Sequence, residues 1–242
     1  MDEELSNKIE QESKLLTDED PRERLNGILR LTDIALQLPM KERETIVAHI
    51  AKLSDDNEPF VRWNLAHALA RIGHASGTKV IAEKLAKDDH MVVRYKAAMA
   101  LDMIGDESAI PILEKMASDT YKIGEHAVLR AFSAIALSTF RSEAAVRVLA
   151  SLVNDEDPVV RWHVAVALGE IGLPSGIQHL SKLIDDPIPP VRAHAAISLA
   201  QIGHEDGISI LERSLEDDVE RVKRIKLASL STLKSIVKFE RG

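Results

Sequence analysis

DEDPVVRWHVAVALGEIG, residues 155–172, decides the fold: an acidic turn, a Val-Arg pair, a run of small and branched apolar residues, and a closing Ile-Gly. The same frame recurs without gaps as VRWNLAHALARIG from Val61, VRYKAAMALDMIG from Val93 and VRAHAAISLAQIG from Val191. In each copy a glycine follows the arginine by eleven residues, giving Gly73, Gly105, Gly172 and Gly203 after Arg62, Arg94, Arg161 and Arg192. Two looser copies, LRAFSAIALSTF from Leu129 and VKRIKLASLSTL from Val222, fit the frame, and a degenerate one surrounds Arg24. The basic column Arg62, Arg94, Arg130, Arg161, Arg192, Lys223 steps by 32, 36, 31, 31 and 31 residues. Periods of that size are the mark of stacked structural units.

Each unit reads as two helices. The first follows an acidic turn (Asp55-Asp56, Asp88-Asp89, Asp155 to Asp157, Asp185-Asp186 or Asp217-Asp218), where carboxylates are expected to cap the helix and suit its dipole. Ile-Gly ends it, since glycine takes the left-handed conformation beyond a helix C-terminus. A second helix follows, as in TKVIAEKLA, AIPILEKMA and GIQHLSKLI. No segment shows sustained strand alternation. The pattern predicts an all-α protein, a right-handed α-solenoid of about seven helical pairs in one domain over residues 1–242. Residues 2–16 form a capping helix, and the units fall at about 18–53, 55–86, 88–117, 119–153, 155–184, 186–215 and 217–239.

Composition agrees. Only 2 Trp, 2 Tyr and 4 Phe occur, so the core must be built from Ala, Leu, Ile and Val, which suits closely packed helices. The formal charge is −8, which argues against nucleic acid or an anionic membrane as partner. With no cysteine, disulfides, thiolate metal sites and thiol catalysis are excluded. The opening MDEELSNKIEQESK is no signal peptide, and no run of 18 apolar residues offers a membrane span, so a cytoplasmic protein is expected.

The Asp…Val-Arg-x-x-Ala-x-x-Ala-Leu-x-x-Ile-Gly frame resembles the HEAT-like repeats of the phycobilisome-lyase type over roughly residues 18–236. The resemblance implies that Arg62, Arg94, Arg161 and Arg192, with the acidic turns before them, form a structural ladder between neighbouring repeats. It also implies that positions −3, −2, +1, +2, +5 and +9 from each arginine make the inner, ligand-recognising face.

Helical phase supports a division of faces. At about 100° per residue, positions −1, +3, +6, +7 and +10 form one side and +1, +5 and +8 the other. The +1 column holds Trp63, Tyr95 and Trp162; Phe60 and Phe132 fall at −2 and +2. The +5 column, His67, Met99, Ile135, Val166, Ile197 and Ala228, is nearly all apolar where a solvated face should be polar. Asn64, Lys96, His163 and His194 supply the +2 polar groups. An exposed apolar strip marks a contact surface. The candidate groove is therefore Phe60, Trp63, Asn64, His67, Tyr95, Lys96, Met99, Phe132, Trp162, His163, Val166, His194 and Ile197. The alternative is that the strip is buried within the chain or in a homodimer.

His163 and His194 share one repeat position and are close enough to meet a common carboxylate or metal. Deoxyhypusine hydroxylase, built on similar repeats, uses paired His-Glu ligands at +1 and +2. Here those dipeptides are Trp63-Asn64, Tyr95-Lys96, Ala131-Phe132, Trp162-His163, Ala193-His194 and Arg224-Ile225, so no metal centre is expected. HEAT-like DNA glycosylases need a basic groove, which Lys96, Arg71 and Arg224 barely provide. Phosphate loops, nucleophile elbows and HExxH are absent, and no catalytic residue is assigned. The segment Asp119–His126, which includes Tyr121, interrupts the period and is a second candidate for function. The expected function is a non-enzymatic scaffold that binds another protein, without cofactor. The alternative, by resemblance, is a bilin lyase subunit or phycobilisome-degradation protein holding a linear tetrapyrrole.

Overall fold

In the computed structural model, which describes residues 3–118 and 126–240, every regular element is helical. In chain order these are α1 (Glu3–Ser13), α2 (Pro21–Gln37), α3 (Arg43–Ile50), α4 (Pro59–Ile72), α5 (Ala75–Glu83), α6 (Met91–Ile104), α7 (Ile110–Ala117), α8 (His126–Leu137), α9 (Glu143–Ser151), α10 (Pro158–Ile171), α11 (Ile177–Leu183), α12 (Pro189–Ile202), α13 (Asp206–Arg213) and α14 (Glu220–Glu240). Short 3₁₀ turns join several of them. From α2 to α13 the elements alternate first and second helix of a pair, the expected all-α solenoid pattern. The last frame differs: it holds α14 alone, a single 21-residue helix. Where the frame would close with glycine it has Lys234, so nothing stops the helix there.

The chain divides into two compact units, Met1–Ile112 and Leu113–Gly242. In the first, α2, α4 and α6 lie side by side and α1 rests against α2 and α3. In the second, α8, α10, α12 and α14 lie side by side. Most of the Asp119–His126 segment lies outside the described residues; the backbone of His126 opens α8.

Local chemistry explains the boundaries. Gly73, Gly105, Gly172 and Gly203 all have φ between 65° and 75° and end their helices. Pro21, Pro59, Pro158 and Pro189 open theirs, since proline lacks the N–H that a first turn leaves unpaired. The acidic turns act differently from the expected capping. Asp157 does cap α10 through the Val159 N–H. The aspartates of the repeat frame sit two residues earlier: Asp56, Asp88, Asp155 and Asp186 each accept the N–H two positions on, at 2.9 Å. They shape the turn and leave their outer lone pairs to an arginine.

That arginine comes from the preceding repeat. Arg161 Nε and Nη2 donate to both oxygens of Asp186 at 2.6 and 3.0 Å, while Nη1 donates to the Asp155 carbonyl at 2.7 Å. Arg62 grips Asp88 and Arg192 grips Asp217 in the same way, and Arg24–Asp56 and Arg130–Asp155 add two rungs. The rungs thus run between neighbouring repeats: the turn before each arginine offers carbonyls, and the carboxylate belongs to the turn after. Arg94 donates to the Asp88 and Asp89 carbonyls; Asp119, 25 residues on as in the Arg161 rung, lies outside the described residues.

Burial alone would raise Asp56 and Asp88, but hydrogen bonds from Arg24 and Arg62 hold both below the usual carboxylate range. Asp217 is held well below it by Arg192, then by the Val219 N–H and Lys226. Lys226 is itself buried and stands 2.9 Å from Asp217.

Candidate functional site

The inward side matches its phase. In α4, Val61, Leu65, Ala68, Leu69 and Ile72 are at most 2% exposed. The opposite side is only partly open, which phase alone does not predict. Neighbouring first helices touch along seams, and positions +1 and +8 fall in them. Ala131, Ala193, Ala70 and Ala200 are buried there. A Cβ on Gly169 would stand 2.5 Å from Ser198 Oγ. Such close approach admits only small side chains. Where +1 is Trp63, Tyr95 or Trp162, the ring stays half-buried. The open columns are +5 and +9: Leu29, +5 from Arg24, is 43% exposed and Met103 is 50% exposed.

In the first unit the structure places Phe60, Trp63 and Asn64 half-buried and His67 exposed on α4, and Tyr95 and Lys96 half-buried and Met99 exposed on α6. Asn64 turns back on its own helix and donates to the Phe60 carbonyl at 2.7 Å. Lys96 Nζ lies 5.1 Å from the Tyr95 ring centre, close enough for cation–π attraction.

In the second unit, α8, α10 and α12 bring Ile135, Trp162, His163, Val166, Ala167, Glu170 and His194 around a cleft of about 340 Å³. Trp162 organises it. Its ring meets His163 at 4.4 Å, tilted 57°, and meets His194 edge-on at 5.0 Å. The indole Nε1 is buried and has no acceptor among the described residues. His194 Nδ1 lies 2.9 Å from the Pro190 carbonyl, so that nitrogen carries the proton and Nε2 is left to others. Burial pushes the His163 imidazole down, with Glu170 opposing and His194 adding to the effect. Phe132 on α8 and Ile197 on α12 are half-buried and do not line this cleft. Ile135 and Glu170 belong to it and were not among the expected groove residues; the apolar +5 column and the +9 position were the signals. Among the described residues no cluster of three or more His, Cys, Asp or Glu is arranged to hold a metal.

Within each unit, first helices side by side, with arginine–aspartate rungs between successive turns, are the pattern of an α-solenoid. HEAT repeats match residues 46–128, 124–188 and 179–231, and the chain belongs to the HEAT repeat family. Kap121p is similar in structure at a TM-score of 0.64, with 14% identity over 97% of this chain and 31% of that one. The E. coli protein YIBA gives 0.60, with 16% identity over 95% and 82%. The complex of CpcE and CpcF of phycocyanin lyase from Nostoc sp. PCC7120 gives 0.51, with 17% identity over 95% and 93%. At these identities the likeness speaks for the fold. No curated protein sequence matches the chain significantly. No helix of the described residues is long and apolar enough to cross a membrane.

Proposed function

We propose that the protein is a scaffold that binds another protein through the open face of its first helices, with the Trp162 cleft as the anchor pocket of the second unit. The observation that carries this reading is the cleft's size and lining. About 340 Å³ of mostly apolar wall lies at the low end for small-molecule sites and suits one or two apolar side chains of a partner. Trp162 supplies a large ring with one unmet N–H, and His163, His194 and Glu170 supply a polar edge that sets orientation. The Trp63–Tyr95–Met99 surface of the first unit carries the same kind of half-open aromatic and thioether side chains, which adapt well to a partner.

Affinity capture from source cells with the wild-type chain and with Trp162→Ala, followed by calorimetry on what the wild type retains, tests it. Trp162→Ala should weaken that complex by about 2 kcal/mol or more, as aromatic anchors do. Its cost to folding should stay below the roughly 3–5 kcal/mol of a core Trp truncation. Unfolding on the scale of a core deletion, or an unaltered complex, would count against the cleft as the anchor.

A further inference from the structure

A second open groove lies one helix further along, between α12 and α14. It encloses about 510 Å³. Ile197, Ala200 and Gln201 form one bank. On α14, Ile225, Ala228, Thr232 and Ile236 form the other. Their spacing of three, four and four residues keeps them on one helical face, and Phe239 continues it three residues on. Phe239 is 88% exposed. Two banks, apolar except for Gln201, Ser229 and Thr232, are the shape that receives one amphipathic helix.

Charge selects the occupant. Between Glu220 and Glu240, α14 carries Arg221, Lys223, Arg224, Lys226, Lys234 and Lys238. Lys223, Lys226 and Lys234 are engaged by Glu216, Asp217 and Glu212. Arg221 and Lys238 have no acidic partner among the described residues. Arg224 has only a solvated 3.8 Å contact with Glu220, a kind of pair worth little. The open edge of the stripe is therefore basic, although the chain's formal charge is −8. Screening beyond about 8 Å makes the local sign the one a docked helix feels. A second copy of the chain is disfavoured by the same charges. Two α14 stripes meeting in parallel set Arg221 and Arg224 against themselves, and antiparallel pairing sets them near Lys238.

We infer that the α12–α14 groove docks an acidic amphipathic helix of a partner protein, its apolar face on Ile225–Phe239 and its carboxylates toward Arg221 and Arg224. This rests on the reading of the first-helix face as protein-binding and names the partner's chemistry at a place distinct from the Trp162 cleft.

The test uses the whole chain and two synthetic helical peptides with leucines on one face, one bearing glutamates elsewhere and the other lysines. Calorimetry should show the glutamate peptide binding at least tenfold more tightly than the lysine peptide, and weakening with salt. Ala228→Asp, on the exposed face of α14, should cost at least tenfold with circular dichroism unchanged. Arg221→Glu with Arg224→Glu should reverse the peptide preference. Equal affinity for the two peptides, or indifference to Ala228→Asp, overturns the inference. So does a concentration-dependent dimer that Ala228→Asp abolishes, which would make a second copy the occupant. Peptide binding lost in Trp162→Ala but kept in Ala228→Asp overturns this groove and leaves the cleft. Peptide binding as expected, with the captured complex untouched by Trp162→Ala, removes the cleft and leaves this groove.

Discussion

Arg161 shows why one residue type is fixed at each rung. Its three guanidinium nitrogens serve two turns at once: two go to the Asp186 carboxylate and one to the Asp155 carbonyl. The Asp186 side chain is only 4% exposed, so it depends on that arginine. Arg161→Ala should lower unfolding stability by about 3 kcal/mol, the lower end of what losing one partner of a buried pair costs. Arg161→Lys should recover little of it, because a point charge cannot replace the two-pronged contact. Urea denaturation checks both. Asp217 extends the logic to pH. Its folded pKa is depressed, so its stabilisation is complete above the ordinary carboxylate pKa of about 4 and drains away as pH falls toward the folded value. Asp56 and Asp88 act in the same direction. Stability should therefore fall steeply below about pH 4, and Asp217→Asn should flatten that limb while lowering the neutral plateau. Lys226 was visible in the sequence as a charge in the +3 column, where other repeats carry Leu65, Ala97, Ser133, Val164 and Ala195. Its partner was not visible. It lies nine residues back, in a turn that only the fold brings beneath it.

At the scale of the helix, two glycines of α10 do different work. Gly172 has φ 72° and ends the helix, so Gly172→Ala should cost about 1–2 kcal/mol through backbone strain alone. Gly169 is helical and sits where α12 presses closest, with Ser198 and Gln201 inside normal contact distance of an added Cβ. Gly169→Ala should cost about 1–3 kcal/mol through overpacking. The double change Gly169→Ala with Ser198→Ala should recover part of that and nothing for Gly172→Ala, which thermal unfolding of the set would show. The first helices and their ends were legible because glycine and the Val-Arg pair recur in a strict frame. The prolines at their starts were equally legible, because proline fits the first turn of a helix and not its interior. The seam positions were not legible. Phase says which way +1 and +8 point from one helix axis but not how near the next helix comes. Trp162 was therefore readable as off the core, while its meeting with His163 and His194 depended on rotamers and on the approach of α12.

At the scale of the whole molecule, each described rung joins only successive repeats, and energetic coupling should be equally short in range. Arg130→Ala and Arg192→Ala, separated by the Arg161 rung, should add to within about 0.5 kcal/mol in a double-mutant cycle. Arg161→Ala and Arg192→Ala share the Asp186 turn, one through its carboxylate and the other through its carbonyl, and should depart from additivity by more than that. The sequence separations of the rungs carry a consequence for how the chain comes to be folded. Arg24 meets its carboxylate 32 residues later, Arg62 26 later, and Arg130, Arg161 and Arg192 each 25 later. Low contact order of this kind favours fast folding, because little loop-closure entropy is spent before a contact is rewarded. It also suits synthesis from one end: once Asp56 has left the ribosome the first rung can close, and each further repeat finds its predecessor already in place.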